Sequence, residues 1–134
     1  MATEAEPESL DPAALAGLRA LAGPDEPNFF PELVGQFVKH GDGAIPALRQ
    51  ALAAGDAKRV EDLAHSLKGS SGNMGAMRLH RLCGRLQKAG ATKDLGSAAP
   101  SLGAVAAEYA VVRERLIAEA AREIAAPRPD SAVE

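Results

Sequence analysis

The sequence predicts an all-α protein: an antiparallel up-down four-helix bundle with a short additional N-terminal helix. Three observations carry this. Apolar residues recur at spacings of three, four and seven along four long stretches, the 3.6-residue period of helices with one buried face. Aromatic residues make up 3% of the chain while alanine is abundant, which suits closely packed helices better than strands, since strands favour β-branched and aromatic residues. The breaks between the stretches are mostly short and contain Gly, Pro or Asp, and helices joined by short connections pack antiparallel.

The chain of 134 residues has the length of one domain and can bury a core without disulfides or metal. Residues 1–8 are acidic and polar, and a disordered tail is expected there. The bundle domain should cover residues 9–124. Residues 125–134, with Pro127 and Pro129, should form a second disordered tail.

The elements follow in order. Ser9 or Asp11 can cap a first helix, with Pro12 in its first turn and Leu15, Leu18 and Leu21 as its stripe. Gly23, Pro24, Asp25, Glu26 and Pro27 break it. Phe30, Val34, Phe37, Ile45, Leu48 and Leu52 hold one helical face over residues 28–54, and Gly41 continues it. Pro46 lacks an amide and crowds the carbonyl of Asp42. The stretch reads as one long helix kinked near 42–46, with two helices as the alternative. Gly55 closes it and Asp56 caps the next helix, 56–73, which stops at Gly75.

A helix over about 76–89 turns Met77, Leu79, Leu82, Cys83 and Leu86 to the core. Cys83 reads there as a small buried hydrophobe rather than a nucleophile. Residues 89–99 read as a loop, with Pro100 in the first turn of a last helix, 99–124. That helix carries the stripe Leu102, Val105, Tyr109, Val112, Leu116 and Ala120.

A single cysteine excludes an intrachain disulfide. The first ten residues hold three glutamates and no basic residue, so no secretory signal is read. No stretch reads as the roughly 18 apolar residues of a membrane helix. A cytoplasmic protein is therefore expected.

The net charge of −3 is unevenly spread. Residues 56–93 hold eight Lys/Arg against three Asp/Glu, a balance of +5; the remainder holds seven against fifteen, a balance of −8. A basic region in an acidic chain suits an acidic protein partner. Nucleic acid is not expected, because no stacking platform or nucleic-acid motif accompanies the charge.

Within this region the helix 56–73 has one unusual face. With Val60 at zero and about 100° per residue, Leu63, Ala64 and Leu67 point to the core, while His65 falls at about 140°, Gly69 at about 180°, Gly72 at about 120° and Lys68 at about 80°. A mid-helix glycine costs about 1 kcal/mol relative to alanine. Two on a wet face beside a histidine leave room for a phosphoryl group and an approaching partner. Lys68 can bring an ammonium to the added negative charge.

The run His-Ser-Leu-Lys-Gly-Ser-Ser-Gly-Asn-Met-Gly-Ala, residues 65–76, resembles the signature of histidine phosphotransfer (HPt) domains, the small carriers of phosphorelays. Gln87 fits as well, since family members often carry Gln or Glu there in the following helix. A looser resemblance in helix pattern extends from about Phe29 to Tyr109. It implies the four-helix build already read from the spacing. It also implies that His65 is phosphorylated, through its distal ring nitrogen, by the phospho-aspartate of a receiver domain, and passes the group to another receiver in a multistep two-component phosphorelay. The partners implied are response-regulator receiver domains, a hybrid histidine kinase, or both.

Imidazole suits this chemistry because, titrating near 6.5, it offers an unprotonated nitrogen around neutral pH. Lys68 is assigned to phosphate neutralisation, Gly69 and Gly72 to clearance, and Gln87 to hydrogen bonding of the ring or the phosphoryl oxygens. Glu61, four residues before His65, could hold the near ring nitrogen. Lys58, Arg78, Arg81, Arg85 and Lys88 are candidates for docking charge. His40 and His80 have no supporting neighbours in sequence and no assigned role.

No phosphate-binding Gly-rich loop or kinase motif is present, so the chain should carry phosphate rather than generate it. No metal or cofactor is expected on this chain. In the family the receiver supplies the aspartate and the Mg²⁺. Two other readings compete: a helical adaptor that docks a receiver or kinase without transfer, and a dimeric phosphotransferase. Four helices in one chain favour a monomer.

Overall fold

The structure, a computed structural model, describes residues 7–125. Five α-helices follow one another: α1 (Pro12–Ala20), α2 (Phe29–Ala53), α3 (Ala57–Asn73), α4 (Met77–Ala91) and α5 (Leu95–Ala125). There is no strand among the described residues. Helices α2 to α5 pack as a closed ring of neighbours, α2 on α3, α3 on α4, α4 on α5 and α5 on α2. This is the expected bundle. Its centre is filled by Phe37, Leu48, Val60, Leu67, Leu79, Leu86, Val105, Val112 and Leu116.

The three bundle connections share one construction. Gly55, Gly75 and Lys93 have φ of 70°, 73° and 60°. In each case the next amide reaches back to the preceding helix: Asp56 N to Ala51 O, Ala76 N to Ser71 O and Asp94 N to Ala89 O, all at 2.9 Å. These bonds close the last helical carbonyls. Asp56 then caps α3 through the amide of Arg59 at 3.0 Å. Asp94 caps α5 through the amide and hydroxyl of Ser97, at 3.1 and 2.7 Å.

This economy overturns the expected loop over 89–99. Helix α4 continues to Ala91, α5 begins at Leu95, and only residues 92–94 connect them. Pro100 therefore lies inside α5, not in its first turn. The stretch expected over 28–54 forms one helix, Phe29–Ala53, with Pro46 inside it. Pro46 and Pro100 are both exposed, as are Asp42 and Gly96 four residues before them. Water can therefore serve the carbonyls these prolines leave without an amide.

Two apolar assignments also change. Met77 is exposed, whereas Leu82 is half-buried and packs against the core as expected. Leu21 falls beyond the end of α1 and is 67% exposed. Asp11, not Ser9, caps α1; Ser9 is buried.

Helix α1 closes one end of the bundle. Asp11 N bonds Gly75 O at 2.9 Å. Arg19 reaches Glu119 at 2.9 Å and Glu123 at 2.8 Å on α5, with its guanidinium 4.3 Å from the centre of the Phe30 ring. Pro7 is held as well: its carbonyl accepts from Arg78 Nε at 2.9 Å. Residue 7, expected in the N-terminal tail, is thus held against α4. Residues 1–6 of that tail and residues 126–134 of the other lie outside the described residues.

The segment Leu95–Ile124 is long and apolar enough to cross a membrane by length and composition, with mean hydropathy 1.2. This differs from the expectation that no stretch qualifies. In the bundle its stripe from Leu102 to Ala120 is buried, and Glu108 and Arg113 engage α4 and α2.

Candidate functional site

The geometry of the site is set by how closely α3 and α4 approach. Gly90 of α4 is buried against the α3 backbone. A Cβ there would stand 2.7 Å from Glu61 N and 2.9 Å from Ala57 O. Further along, Gly84 lies beneath the Lys68 side chain: a Cβ there would stand 3.7 Å from its Cε and 3.8 Å from its Nζ. His80 Nδ1 is 2.9 Å from the Lys68 carbonyl. These three contacts define an antiparallel register in which Gln87 falls level with Ala64 and His65.

His65 is exposed, as the helical rotation predicts. Val60, Ala64 and Leu67 are buried on the opposite face. No hydrogen bond to another described residue restrains the His65 ring. Gly69, one turn on, is exposed, and an added Cβ would meet nothing within 4 Å. The strip of backbone above the imidazole is open.

Lys68 is half-buried on the α4 side of this strip, its stem lying over Gly84. Gln87 lies in the same seam. Its Oε1 is buried without a hydrogen-bond partner. An unmade bond of this kind costs about 1–3 kcal/mol.

On the α2 side, Ser66 Oγ is 3.4 Å from His40 Nε2. His40, Gln36, Ser70 and Asn73 edge a shallow cleft floored by Phe37 and Met74.

The remaining sequence assignments separate. Gly72 does not serve the open strip: a Cβ there would stand 2.9 Å from His80 Nδ1, so its missing side chain makes room for α4. Glu61 does not hold the His65 ring. Its carboxylate is 3.6 Å from Lys58 Nζ, which also pairs with Asp62 at 3.0 Å. The hydrogen bond to Asp62, foremost, raises the Lys58 pKa. Arg78 is committed inside the fold, to Pro7 and, at 3.8 Å, to the buried Glu108. Arg81 is half-buried and already engaged. Arg85 and Lys88 are exposed.

Gly90, placed by the sequence in the loop over 89–99, lies instead in α4 and lets that helix close on the α3 backbone. Gly84 went unnoticed in the sequence; it lies under the Lys68 stem, where an added Cβ would make only ordinary contact. Cys83 is buried, and desolvation pushes its thiol up to about 12. It is inert at neutral pH.

A four-helix bundle with an exposed histidine, a lysine at i+3 and open backbone at i+4 is a class of phosphoryl carrier. Residues 32–124 match the model of the Hpt domain family, and the chain belongs to it. Among solved structures it resembles histidine-containing phosphotransfer protein B of Pseudomonas aeruginosa PAO1, with 32% identity and a TM-score of 0.77, over 85% of this chain and 96% of that one. A maize histidine-containing phosphotransfer protein shares the fold, with 24% identity and a TM-score of 0.76 over 87% of each chain. Multistep phosphorelay regulator 1 of Schizosaccharomyces pombe is 33% identical over 70 residues, 52% of this chain. The chain spans about a quarter, 24%, of that relative's length.

Proposed function

We propose that this chain relays phosphoryl groups between receiver domains of a multistep two-component phosphorelay, with His65 as the carrier. The unprotonated ring nitrogen of His65 attacks the phosphorus of an aspartyl phosphate. An N–P bond forms, the acyl O–P bond breaks, and the aspartate leaves as its carboxylate. The reverse transfer, onto another receiver, regenerates the imidazole.

The single observation that carries this reading is the exposed His65 ring beside the open backbone at Gly69. A receiver can bring its aspartate up to the nitrogen in line only if nothing overhangs it. Lys68, lying over Gly84, neutralises the phosphoryl charge. Gln87 bonds the ring or the phosphoryl oxygens. Arg85 and Lys88, exposed on α4, meet the acidic rim of the partner. The Mg²⁺ that balances the transferring group belongs to the receiver. The chain acts as a cytoplasmic monomer, with receiver domains or a hybrid histidine kinase as partners.

The test mixes the protein with a labelled phospho-receiver. Label should move to the chain as an acid-labile, base-stable adduct and should vanish in His65→Gln. Labelling retained in that variant would refute the site, and a folded wild type that docks the receiver but takes no label would leave an adaptor.

A further inference from the structure

His80 and Gly72 form a fitted pair on the seam beside Lys68. The His80 ring occupies the space a side chain at 72 would fill, with Nδ1 2.9 Å and Cε1 3.3 Å from the place of its Cβ. The same Nδ1 is 2.9 Å from the carbonyl of Lys68. A carbonyl only accepts, so Nδ1 must carry the proton and donate. The Lys68 carbonyl thereby serves a donor from α4 in addition to its place in the α3 ladder.

One turn along α4 from His80 stands Gly84, over which the Lys68 stem lies. Lys68 is thus held twice by the same face of α4, by its backbone at His80 and by its side chain at Gly84. A lysine side chain otherwise carries rotamer entropy that must be lost when it serves one geometry.

We propose that His80 is a positioning residue that sets Lys68 against α4, so that its ammonium stands ready beside the phosphoryl group on His65. His80 need not touch substrate. It acts on the turn of α3 that carries Lys68 and Gly69. Gly72 is glycine because this ring requires the space. The proposal rests on the phosphotransfer reading above and adds to it a residue outside the His65–Gly75 stretch.

Two measurements test it. Ring ¹⁵N spectra of the unphosphorylated protein should show His80 protonated at Nδ1; an Nε2–H neutral tautomer would overturn the proposal. Transfer from a labelled phospho-receiver should then be timed in variants. His80→Asn, whose amide nitrogen falls where Nδ1 was, should keep near wild-type rates. His80→Leu should slow transfer about fivefold to tenfold, the scale of one weakened transition-state contact. In a Lys68→Ala background the same His80→Leu change should cost nothing further.

Equal rates for Asn and Leu, or an undiminished cost of Leu without Lys68, would overturn the role, since a merely structural histidine would act regardless of Lys68. If Leu prevents folding, His80→Gln, which carries its amide one bond further out, replaces it. A folded wild type that accepts no label fails the phosphotransfer reading itself. The fitted pair is then judged separately by stability: Gly72→Ala should destabilise the wild type and be tolerated in His80→Ala.

Discussion

The ring of Tyr109, on α5, lies directly on the backbone of Gly41, on α2. A Cβ at 41 would run into its Cε1 and Cζ. This contact lets the hydroxyl reach past the α2 backbone to the Val38 carbonyl at 3.0 Å and the Asp42 carboxylate at 2.7 Å. It also brings the Tyr109 ring to 5.9 Å from that of Phe37, centre to centre.

Gly41→Ala should therefore lower stability by about 1–3 kcal/mol, the usual cost of overfilling a packed core. Urea unfolding should show a lower midpoint with an unchanged slope. An unchanged midpoint would mean that Tyr109 moves aside at no cost.

Asp42 predicts a pH effect. The Arg113 guanidinium, foremost, and then the Tyr109 hydroxyl hold its carboxyl below the usual carboxylate range. A carboxylate depressed in the folded state adds stability above its unfolded pKa and loses it as pH falls through the folded value. Asp42→Asn should therefore be less stable than wild type at neutral pH. The gap should close as pH drops below about 4. Thermal unfolding across that range checks the sign, and a gap that widens in acid would contradict it.

The glycines of the α3–α4 seam should part company. Gly69→Leu should leave stability unchanged or slightly raised, because a Cβ there meets nothing and a mid-helix glycine costs about 1 kcal/mol. It should nonetheless block phosphoryl transfer by crowding the partner. Gly90→Ala should do the reverse and cost about 1–3 kcal/mol as α3 and α4 are forced apart. Paired melting curves and transfer assays decide; normal transfer by Gly69→Leu would remove the clearance argument.

Lys93 holds a left-handed conformation, φ 60°, at the α4–α5 connection, where the other two bundle connections use glycine. Lys93→Gly should relieve that strain and raise stability by about 0.5–1 kcal/mol after allowing for the greater freedom of glycine in the unfolded chain. A lower melting temperature would count against it.

The candidate site was legible in part for a definite reason. His65, Lys68 and Gly69 lie on one helix, and their relation follows from a 100° rotation that needs no partner helix. The assignments of Gly72, Glu61 and Arg78 were altered because the alternative occupants, His80, Lys58 and the Pro7 and Glu108 pair, lie on other elements or on a competing local pairing. The loop read over 89–99 shrank to three residues because Lys93 performs a glycine's turn, and no local rule announces that.

Local periodicity thus determined the class of fold, the buried stripes and the face on which His65 stands, since the 3.6-residue repeat is a property of the chain alone. Tertiary structure decided what each glycine is for. Whether a missing Cβ opens a surface, as at Gly69, seats a ring, as at Gly41 and Gly72, or lets two backbones meet, as at Gly90, depends on which atoms of another helix arrive there. That is a matter of register between helices, which sequence spacing along one of them does not contain.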